Sequence, residues 1–275
     1  MNFSKNETAN LTGGVNNVLQ DEGPNNRNKS ITIIFPAYNE EENIQKAVEH
    51  GRKALSKYFS GIEIIVVNDG SSDATAEIIN ALAAKNSDVV PVHHETNRGY
   101  GAALRSGIYR ASNELIFFTD SDLQFDLEEI RHLQEWIGHY DIVAGYRARR
   151  ADPLHRRFNA WGWNVLVRII LGLRIKDIDC AFKLFRREVF LDVRLETVGA
   201  MINTEILTLA QRNGMKIKEV PVSHYPRLAG EQTGANFRVI WKALRELFVM
   251  REKLRIRATG ERRDTVSYES RYNEL

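Results

Sequence analysis

The sequence predicts an α/β fold, a doubly wound and mostly parallel sheet flanked by helices within a single domain. From residue 30 onward, short apolar runs alternate with stretches of helical periodicity, which is the pattern of successive strand–helix units. The runs are continuously apolar, as is typical of strands buried on both faces. Each run is followed by a polar loop, and ligands of such sheets bind beyond the carboxyl ends of the strands.

The composition limits the classes of function. The 275 residues are 43% apolar and carry a net charge of +2, so one large domain is expected and a nucleic-acid partner is not. The single cysteine, Cys180, excludes an intramolecular disulfide framework and favours a reducing compartment. No apolar run reaches the roughly 18 residues of a membrane span, and no signal peptide is recognisable. We expect a cytoplasmic protein, peripheral at the cytoplasmic face of a membrane.

The ordered domain is expected at about 30–255. Residues 1–29 are rich in Asn, Gly and Glu without periodicity, which predicts a disordered tail. Residues 256–275 are charged and irregular and predict a second tail. Within the domain, the part that faces the acceptor and the membrane is expected at about 150–255.

The first strand–helix unit illustrates the pattern. The apolar run 30–35 ends at Pro36, and Asn39 with Glu42 three residues later resembles a capping box. We therefore expect a helix over about 40–58. Further strands are predicted at 62–67, 89–92, 115–119 and before 147, with the third helix at about 101–111.

Two nucleotide-binding motifs are absent from the sequence. A dinucleotide-binding fold carries G-x-G-x-x-G directly after its first strand, whereas this chain has Pro-Ala-Tyr-Asn-Glu at 36–40. The glycines at 99 and 101 follow the third strand and are interpreted as a helix-entry turn, and there is no Walker A loop. We therefore expect a cation and basic side chains to hold any phosphates.

Two acidic residues follow the fourth strand. Asp120 and Asp122 are one residue apart, and just beyond a strand end the chain can turn so that both converge on one ion. Two carboxylates suit a hard divalent cation that also binds waters and substrate phosphates. A pair of acids that merely caps the next helix is the plainer alternative.

Four motifs together carry a family resemblance. They are Pro-Ala-Tyr-Asn-Glu at 36–40, Val-Asn-Asp-Gly-Ser-Ser-Asp at 67–73, Asn-Arg-Gly-Tyr-Gly at 97–101 and Asp-Ser-Asp-Leu-Gln at 120–124. In this order, at matching strand ends, they resemble family 2 glycosyltransferases with the GT-A fold. The likeness covers about residues 30–250 and is greatest to the dolichol-phosphate mannosyltransferase and polyprenyl-phosphate hexose synthase group.

The resemblance implies roles for the matching positions. Metal contacts fall on Asp120, Asp122 and Gln124, and the catalytic candidates are Asp122 and Arg147. The complete nucleotide-sugar set comprises Pro36, Tyr38, Glu40, Val67, Asp69, Asp120, Ser121, Asp122, Gln124, Arg147 and Arg227.

Two stretches depart from the family pattern. A Ser-Lys pair that is usual downstream of Arg227 is Gln232-Thr233 here, so one phosphate-binding lysine is missing. The small Ser-Gly pair of the acceptor loop is Cys180-Ala181, which bears on the identity of the acceptor.

The resemblance also implies an activity. It is the inverting transfer of a hexose, mannose or glucose, from GDP-mannose or UDP-glucose to a polyprenyl or dolichyl phosphate, with Mg²⁺ or Mn²⁺ as cofactor. A phosphate acceptor is already anionic and needs no strong general base. Two like unit charges about 4 Å apart repel by roughly 4 kcal/mol at an effective dielectric near 20, so charge compensation is required. The cation, Arg147 and Arg227 are expected to provide it.

Two stretches predict contact with a membrane surface. Residues 158–171 are apolar and aromatic, and arginines flank them. Residues 237–248 place apolar side chains on one helical face with basic residues around it, as in helices that lie on membranes. Packing of this helix on the core is an equal alternative, and an integral membrane partner is also conceivable.

Other readings of the site remain open. The same donor machinery could serve a hydroxyl acceptor, with a catalytic base at Asp177 or Asp179. The chain could instead bind nucleotide sugars without catalysis. Individually, Asp69 could cap the helix that follows it, and Arg147 could be a solvated surface charge.

Overall fold

The computed structural model describes residues 29–149, 154–191, 193–226, 244–252 and 254. Apart from residue 29, the two predicted tails lie outside these residues. Arg227 and the departure at 232–233 also lie outside them.

Within the described residues, seven strands form one sheet in the order β3-β2-β1-β4-β6-β5-β7. All neighbouring pairs are parallel except those of β6, which is antiparallel to both β4 and β5. The predicted doubly wound, mostly parallel sheet is therefore confirmed. The strands are β1 (Ser30–Ala37), β2 (Gly61–Asn68), β3 (Val89–His93), β4 (Leu115–Thr119), β5 (Ile142–Arg149), β6 (Phe182–Arg186) and β7 (Ile217–Ser223).

Helices cover both faces of the sheet, and the predicted start of the first one was wrong. Asn39 has a left-handed backbone with φ of 52°, and the helix begins only at Ile44, whose N-cap Asn43 makes no side-chain capping bond. The helices are α1 (Ile44–Leu55), α2 (Thr75–Lys85), α3 (Tyr100–Arg110), α4 (Ile130–Gln134), α5 (Leu154–Leu171) and α6 (Ile202–Arg212), and residues 244–252 are also helical.

Two apolar layers hold the sheet between the helices. Successive strand residues point to opposite faces, so Ile33 and Phe117 pack with α1, α2 and α4, whereas Ile34 and Phe118 pack with α3, α5 and α6. Burial on both faces explains why the strands read as continuous apolar runs.

The helix α5 exposes two large apolar side chains. Val167 and Leu171 pack into the core, while Trp161 is 62% and Ile169 75% exposed. Among the helices that the structure describes, none combines the length and the apolar character that crossing a bilayer requires.

Candidate active site

The predicted site residues that the structure describes, all but Arg227, lie along one edge of the sheet. The parallel strands β1, β2, β4 and β5 end there, and the antiparallel β6 begins there. This edge therefore brings together the loops at 36–41, 68–73, 120–124 and 177–181. Parallel strands place their carboxyl ends together, as ligand sites of open sheets require.

Pro36 is the next-to-last residue of β1, and Tyr38 follows the end of this strand. The pairing of β1 with β4 stops at Ile34, so the N–H that proline lacks would have had no partner strand on that side. In its place the buried Ser121 hydroxyl donates to the Pro36 carbonyl over 3.1 Å. Tyr38 lies just beyond the strand and is 48% exposed, so its ring is free to meet a base.

The loops after β1 and β2 are joined by reciprocal hydrogen bonds. The backbone N–H of Asn39 donates to the Ser71 hydroxyl over 3.0 Å, and the side-chain oxygen of Asn39 accepts from the backbone N–H of Ser72 over 2.9 Å. The Glu40 amide donates to Thr75 Oγ1 over 2.9 Å. This linkage explains why Asn39 does not cap α1: its side chain belongs to the neighbouring loop.

Asp69 is buried and holds the next loop. Its carboxylate accepts hydrogen bonds from the amides of Arg98 (2.9 Å) and Gly99 (2.8 Å), and His94 Nδ1 lies 2.6 Å from it. The other ring nitrogen of His94 lies 2.9 Å from the Ser106 hydroxyl. Asp69 thus fixes the loop before α3 to the end of β2, a structural role that sequence reasoning did not anticipate. Val67 points into the core against α3, so only its backbone can contribute to the site.

The glycine turn before α3 is closed by another loop. The Val198 carbonyl accepts from the amides of Gly101 (2.9 Å) and Ala102 (3.2 Å). A Cβ on Gly101 would lie 2.6 Å from the Gly199 carbonyl oxygen, so only glycine fits. The interpretation as a helix-entry turn is confirmed, since α3 begins at Tyr100, and these amides are not available to phosphates.

Asp120 and Asp122 follow the buried end of β4, and the chain turns there through a left-handed residue. Leu123 has φ of 60°, which non-glycine residues adopt rarely and which concentrates at functional sites. Asp122 is 7% exposed, and its carboxylate accepts from the Gln124 amide over 3.2 Å.

The environment of Asp120 disfavours its charge. Burial, and then the negative charge of Asp122, raise the pKa of Asp120 to about 7, against the opposing effects of the Tyr100 hydroxyl, Lys183 and Arg147. The Tyr100 hydroxyl is buried beside Asp120 without a hydrogen bond of good geometry. Two adjacent carboxylates beside a buried hydroxyl form a polar, anionic cluster at the end of β4.

The donor set fits a hard divalent cation. Within the described residues, no group of three or more His, Cys, Asp or Glu side chains lies together as a closed metal site would need. Two carboxylates alone suit Mg²⁺ or Mn²⁺, which keep waters and bind substrate phosphates. Gln124 is otherwise engaged: its side-chain amide donates to the Tyr225 carbonyl over 3.0 Å, and the Tyr225 amide donates back to the Gln124 carbonyl over 2.8 Å.

Arg147 is not a free surface charge. Its guanidinium forms two 2.7 Å hydrogen bonds to the carboxylate of Asp177, and its amide donates to the same group over 3.2 Å. Burial alone would lower the pKa of Arg147, but the hydrogen bonds and charge of Asp177 raise it. The pair is mostly buried, with side-chain exposures of 12% and 8%.

One further charged residue, Lys183 in β6, was missed by sequence reasoning. It is fully buried and its ammonium group contacts Ile178, Cys180 and Asn203. A single lysine between Phe182 and Leu184 in an apolar strand was the available signal. The Cys180 thiol is also buried, which raises its pKa to about 12 and leaves it unreactive.

Comparison with known proteins identifies the family. The sequence profile described as "Glycosyl transferase family 2" matches residues 32–194. The chain belongs to this family. The prediction made from the four motifs is thereby confirmed.

Curated relatives match most of this chain. "Glycosyltransferase AglD" of Haloferax volcanii is 33% identical over 207 residues, which are 72% of this chain and 33% of that protein. "Undecaprenyl-phosphate 4-deoxy-4-formamido-L-arabinose transferase" of Pectobacterium carotovorum is 31% identical over 209 residues (74% and 62%). "Dolichyl-phosphate beta-glucosyltransferase ALG5A" of Trichomonas vaginalis is 32% identical over 213 residues (70% and 64%). The chain spans less than two thirds of each of these relatives.

Solved structures show the same fold. Glucosyl-3-phosphoglycerate synthase of Mycobacterium tuberculosis, crystallised with uridine diphosphate, has a TM-score of 0.62 at 19% identity and covers 82% of this chain and 80% of its own. The same synthase was also crystallised with Mn²⁺, uridine diphosphate and phosphoglyceric acid, with a TM-score of 0.59. The predicted GT-A-type architecture is thus confirmed.

Proposed function

We propose that the chain is a metal-dependent, inverting glycosyltransferase that moves a hexose from a nucleotide sugar to a polyprenyl or dolichyl phosphate. The observation that supports this most strongly is the order of the functional groups along the sheet edge. Two relatives whose names specify a dolichyl-phosphate or an undecaprenyl-phosphate transferase support the same acceptor class.

The order of the strands indicates how a nucleotide-sugar donor would lie across the sheet edge. The nucleoside would lie over the ends of β2 and β1, where Tyr38 offers an exposed ring and Glu40 a carboxylate. The buried Asp69 could contact it only by giving up a hydrogen bond from a backbone N–H of the loop before α3. The diphosphate would then lie over the end of β4, beside Asp120 and Asp122. GDP-mannose and UDP-glucose remain the two candidate donors.

The cation would be held by Asp120 and Asp122 together with the diphosphate, and Gln124 could join them only by turning away from Tyr225. A bound Mg²⁺ or Mn²⁺ supplies charge compensation for the diphosphate as it leaves. The two carboxylates fix where the diphosphate lies, and Ser121 fixes the carboxylate loop on β1 through the Pro36 carbonyl.

The acceptor would approach from the other side of β4. The loop 177–181 and Arg147 lie there, because β6 and β5 follow β4 in the sheet. Arg147 is oriented by Asp177, so its remaining N–H groups can meet a phosphate oxygen. Arg227 lies outside the described residues and is proposed as a second phosphate contact by resemblance alone.

A hydroxyl acceptor is the less favoured alternative. It would need a general base. Of the two candidates in the loop, Asp179 is exposed, and Asp177 is held by three hydrogen bonds from Arg147. A carboxylate used in this way positions its arginine and does not face a substrate proton.

A membrane surface is the proposed location of the acceptor. Trp161 and Ile169 are exposed on α5, and Arg168 and Arg174 are exposed near them. Exposed apolar and basic side chains on one helix suit an anionic lipid surface. We place the enzyme at the cytoplasmic face, where an integral membrane partner could assist it.

A transfer assay tests the proposal. The chain would be incubated with a short-chain polyprenyl phosphate and GDP-mannose, UDP-glucose, UDP-galactose or UDP-N-acetylglucosamine, with Mn²⁺ or with EDTA. Metal-dependent transfer of label to lipid that is lost in Asp122→Ala is expected. Hydrolysis of the donor without labelled lipid would reject the acceptor, and tight donor binding without turnover would favour a binding protein.

A further inference from the structure

The structure contains a lysine in a place that needs an explanation. Lys183 lies in β6, paired with Phe118 of β4 and Ala144 of β5, and none of its surface is exposed. Burying an ammonium group is unfavourable unless every N–H finds an acceptor. Burial accordingly lowers the pKa of Lys183. A fully buried position in a central strand of the sheet would ordinarily hold an apolar residue.

The contacts of Lys183 account for all its donors. Nζ donates to the Ile178 carbonyl over 3.0 Å, to Asn203 Oδ1 over 3.2 Å and to the Cys180 carbonyl. Three acceptors match the three N–H bonds of an ammonium group, whereas a neutral amine has only two. This geometry fits the charged form, which binds carbonyl oxygens more strongly than a neutral donor does.

These acceptors come from two separate elements. Ile178 and Cys180 belong to the loop that precedes β6, and Asn203 belongs to the first turn of α6. The same loop contains Asp177, the partner of Arg147. Across the sheet, Lys183 is paired with Phe118 of β4, two residues before Asp120. Lys183 thus belongs to the strand next to the one that carries the carboxylate pair, and it contacts the loop that carries the partner of Arg147.

We propose that Lys183 is a positioning residue that clamps the loop 178–180 to α6 and thereby fixes the acceptor phosphate site relative to Asp120. This inference rests on the proposed function for its kinetic consequence but not for the clamp. The donor side of the edge, at β1 and β2, makes no contact with this loop through Lys183. Loss of the clamp should therefore weaken acceptor binding and leave donor binding unchanged.

The test compares Lys183→Met with the wild type in the full chain. We expect hydrogen exchange of the loop 178–181 amides to accelerate at least about tenfold, because two hydrogen bonds from a charged group to this loop are lost and one alone is worth about that factor. We expect the KM for polyprenyl phosphate to rise about tenfold, with kcat changed less. The Kd of uridine or guanosine diphosphate with Mn²⁺ is measured at about pH 9, well above the pKa of Asp120, and should change much less than this KM.

Thr208→Val is the matched control. Thr208 is fully buried on α6, and its hydroxyl has no hydrogen-bond partner, so its removal should change neither loop exchange nor KM. Unchanged loop exchange in Lys183→Met would overturn the proposal. An equal loss of donor and acceptor binding would also overturn it, because that result indicates a general structural role.

A second variant tests the clamp between the loop 178–180 and α6 if Lys183→Met does not fold. Asn203→Ala removes one acceptor of the clamp and keeps the ammonium group on the loop. It should accelerate loop exchange and raise the acceptor KM without changing the diphosphate Kd, and the opposite result rejects the clamp. A wild type that transfers no sugar would reject the proposed function alone, since loop exchange and diphosphate binding would still decide the role of Lys183.

Discussion

At the residue scale, the ionised carboxylate of Asp120 lowers the stability of the folded protein when no ligand is bound. Its pKa is raised from 3.8 to about 7 by burial and by Asp122. Between these two values the unfolded chain is ionised and the folded chain retains the proton. The unfolded state then binds fewer protons, so stability falls as the pH rises from about 4 to about 7 and is constant above that range.

We expect Asp120→Asn to stabilise the metal-free protein at about pH 8 and to have little effect at about pH 4. One pKa unit corresponds to about 1.4 kcal/mol, so the melting temperature at the higher pH should rise by at least about 2 °C. Calorimetry in EDTA measures it. Asp126→Asn is the control, because Asp126 is exposed and asparagine retains its N-cap on the next turn.

Mn²⁺ should reverse the order of the melting temperatures of the wild type and Asp120→Asn. A ligand that binds only the folded state raises its stability, so Mn²⁺ with a nucleoside diphosphate should stabilise the wild type more than Asp120→Asn. Equal stabilisation of both proteins would show that Asp120 does not hold the cation.

The Arg147–Asp177 pair permits a second test at this scale. Asp177→Asn leaves a mostly buried guanidinium without its counter-charge, which typically destabilises a protein by about 3 kcal/mol. If Asp177 orients Arg147, the variant should lose stability and raise the acceptor KM while retaining measurable kcat. Chemical denaturation and initial rates give both values.

Asp179→Asn provides the comparison, because Asp179 lies in the same loop but is exposed. It should change stability by no more than about 0.5 kcal/mol. Should Asp177→Asn instead keep full stability and lose all turnover, Asp177 would be the base of a hydroxyl-directed enzyme.

At the element scale, close contact between α3 and the loop 197–199 depends on glycine. A Cβ on Gly101 would lie 2.6 Å from the Gly199 oxygen and 2.8 Å from the Thr197 oxygen, and both are backbone atoms. We expect Gly101→Ala to separate the loop from the helix and to destabilise the protein by about 1–3 kcal/mol. Denaturant titration measures this change.

Gly162→Ala is the matched control in another helix. No atom lies within 4 Å of a Cβ at that position of α5, and alanine is favoured over glycine in helices by about 1 kcal/mol. The control should therefore be neutral or more stable. Similar effects of both substitutions would mean that the α3 contact is not tight.

The sequence predicted the first half of the sheet better than the second. Continuous apolar runs located β1, β2, β3 and β4 within two residues, because burial on both faces leaves a local signal. The antiparallel insertion of β6 between β4 and β5 left no local signal in the sequence, because strand order depends on pairing between distant residues.

Long-range contacts also explain what the sequence could not predict about individual site residues. Asn39 looks like an N-cap in its own segment, but it bonds to Ser71 and Ser72 of the next loop. Arg147 was predicted to follow the fifth strand but lies within β5, and its pairing with Asp177, 30 residues away, could not be predicted. Lys183 gave only the weak signal of one charge in an apolar strand.

At the scale of the whole molecule, the exposed apolar side chains of one helical layer indicate which side of the protein would contact a membrane. Trp161 and Ile169 on α5 and Phe248 of the helix at 244–252 are all more than half exposed, and both helices pack on the same face of the sheet. The exposed Arg168 and Arg245 belong to the same two helices. An anionic membrane would meet apolar and basic groups together on this side.

We expect the double variant Trp161→Ser, Ile169→Ser to lose most of its binding to vesicles of mixed anionic lipids. Each large apolar side chain contributes about 1.5–3 kcal/mol when fully buried, so a loss of about tenfold or more should be measurable by co-sedimentation. Turnover with a water-soluble, short-chain acceptor should be unchanged, since neither side chain belongs to the sheet edge. Trp136→Ser is the control, because Trp136 is 37% exposed but lies near α4 in the other layer, under Lys218. Equal vesicle binding by the double variant and the wild type would place the membrane contact elsewhere on the molecule.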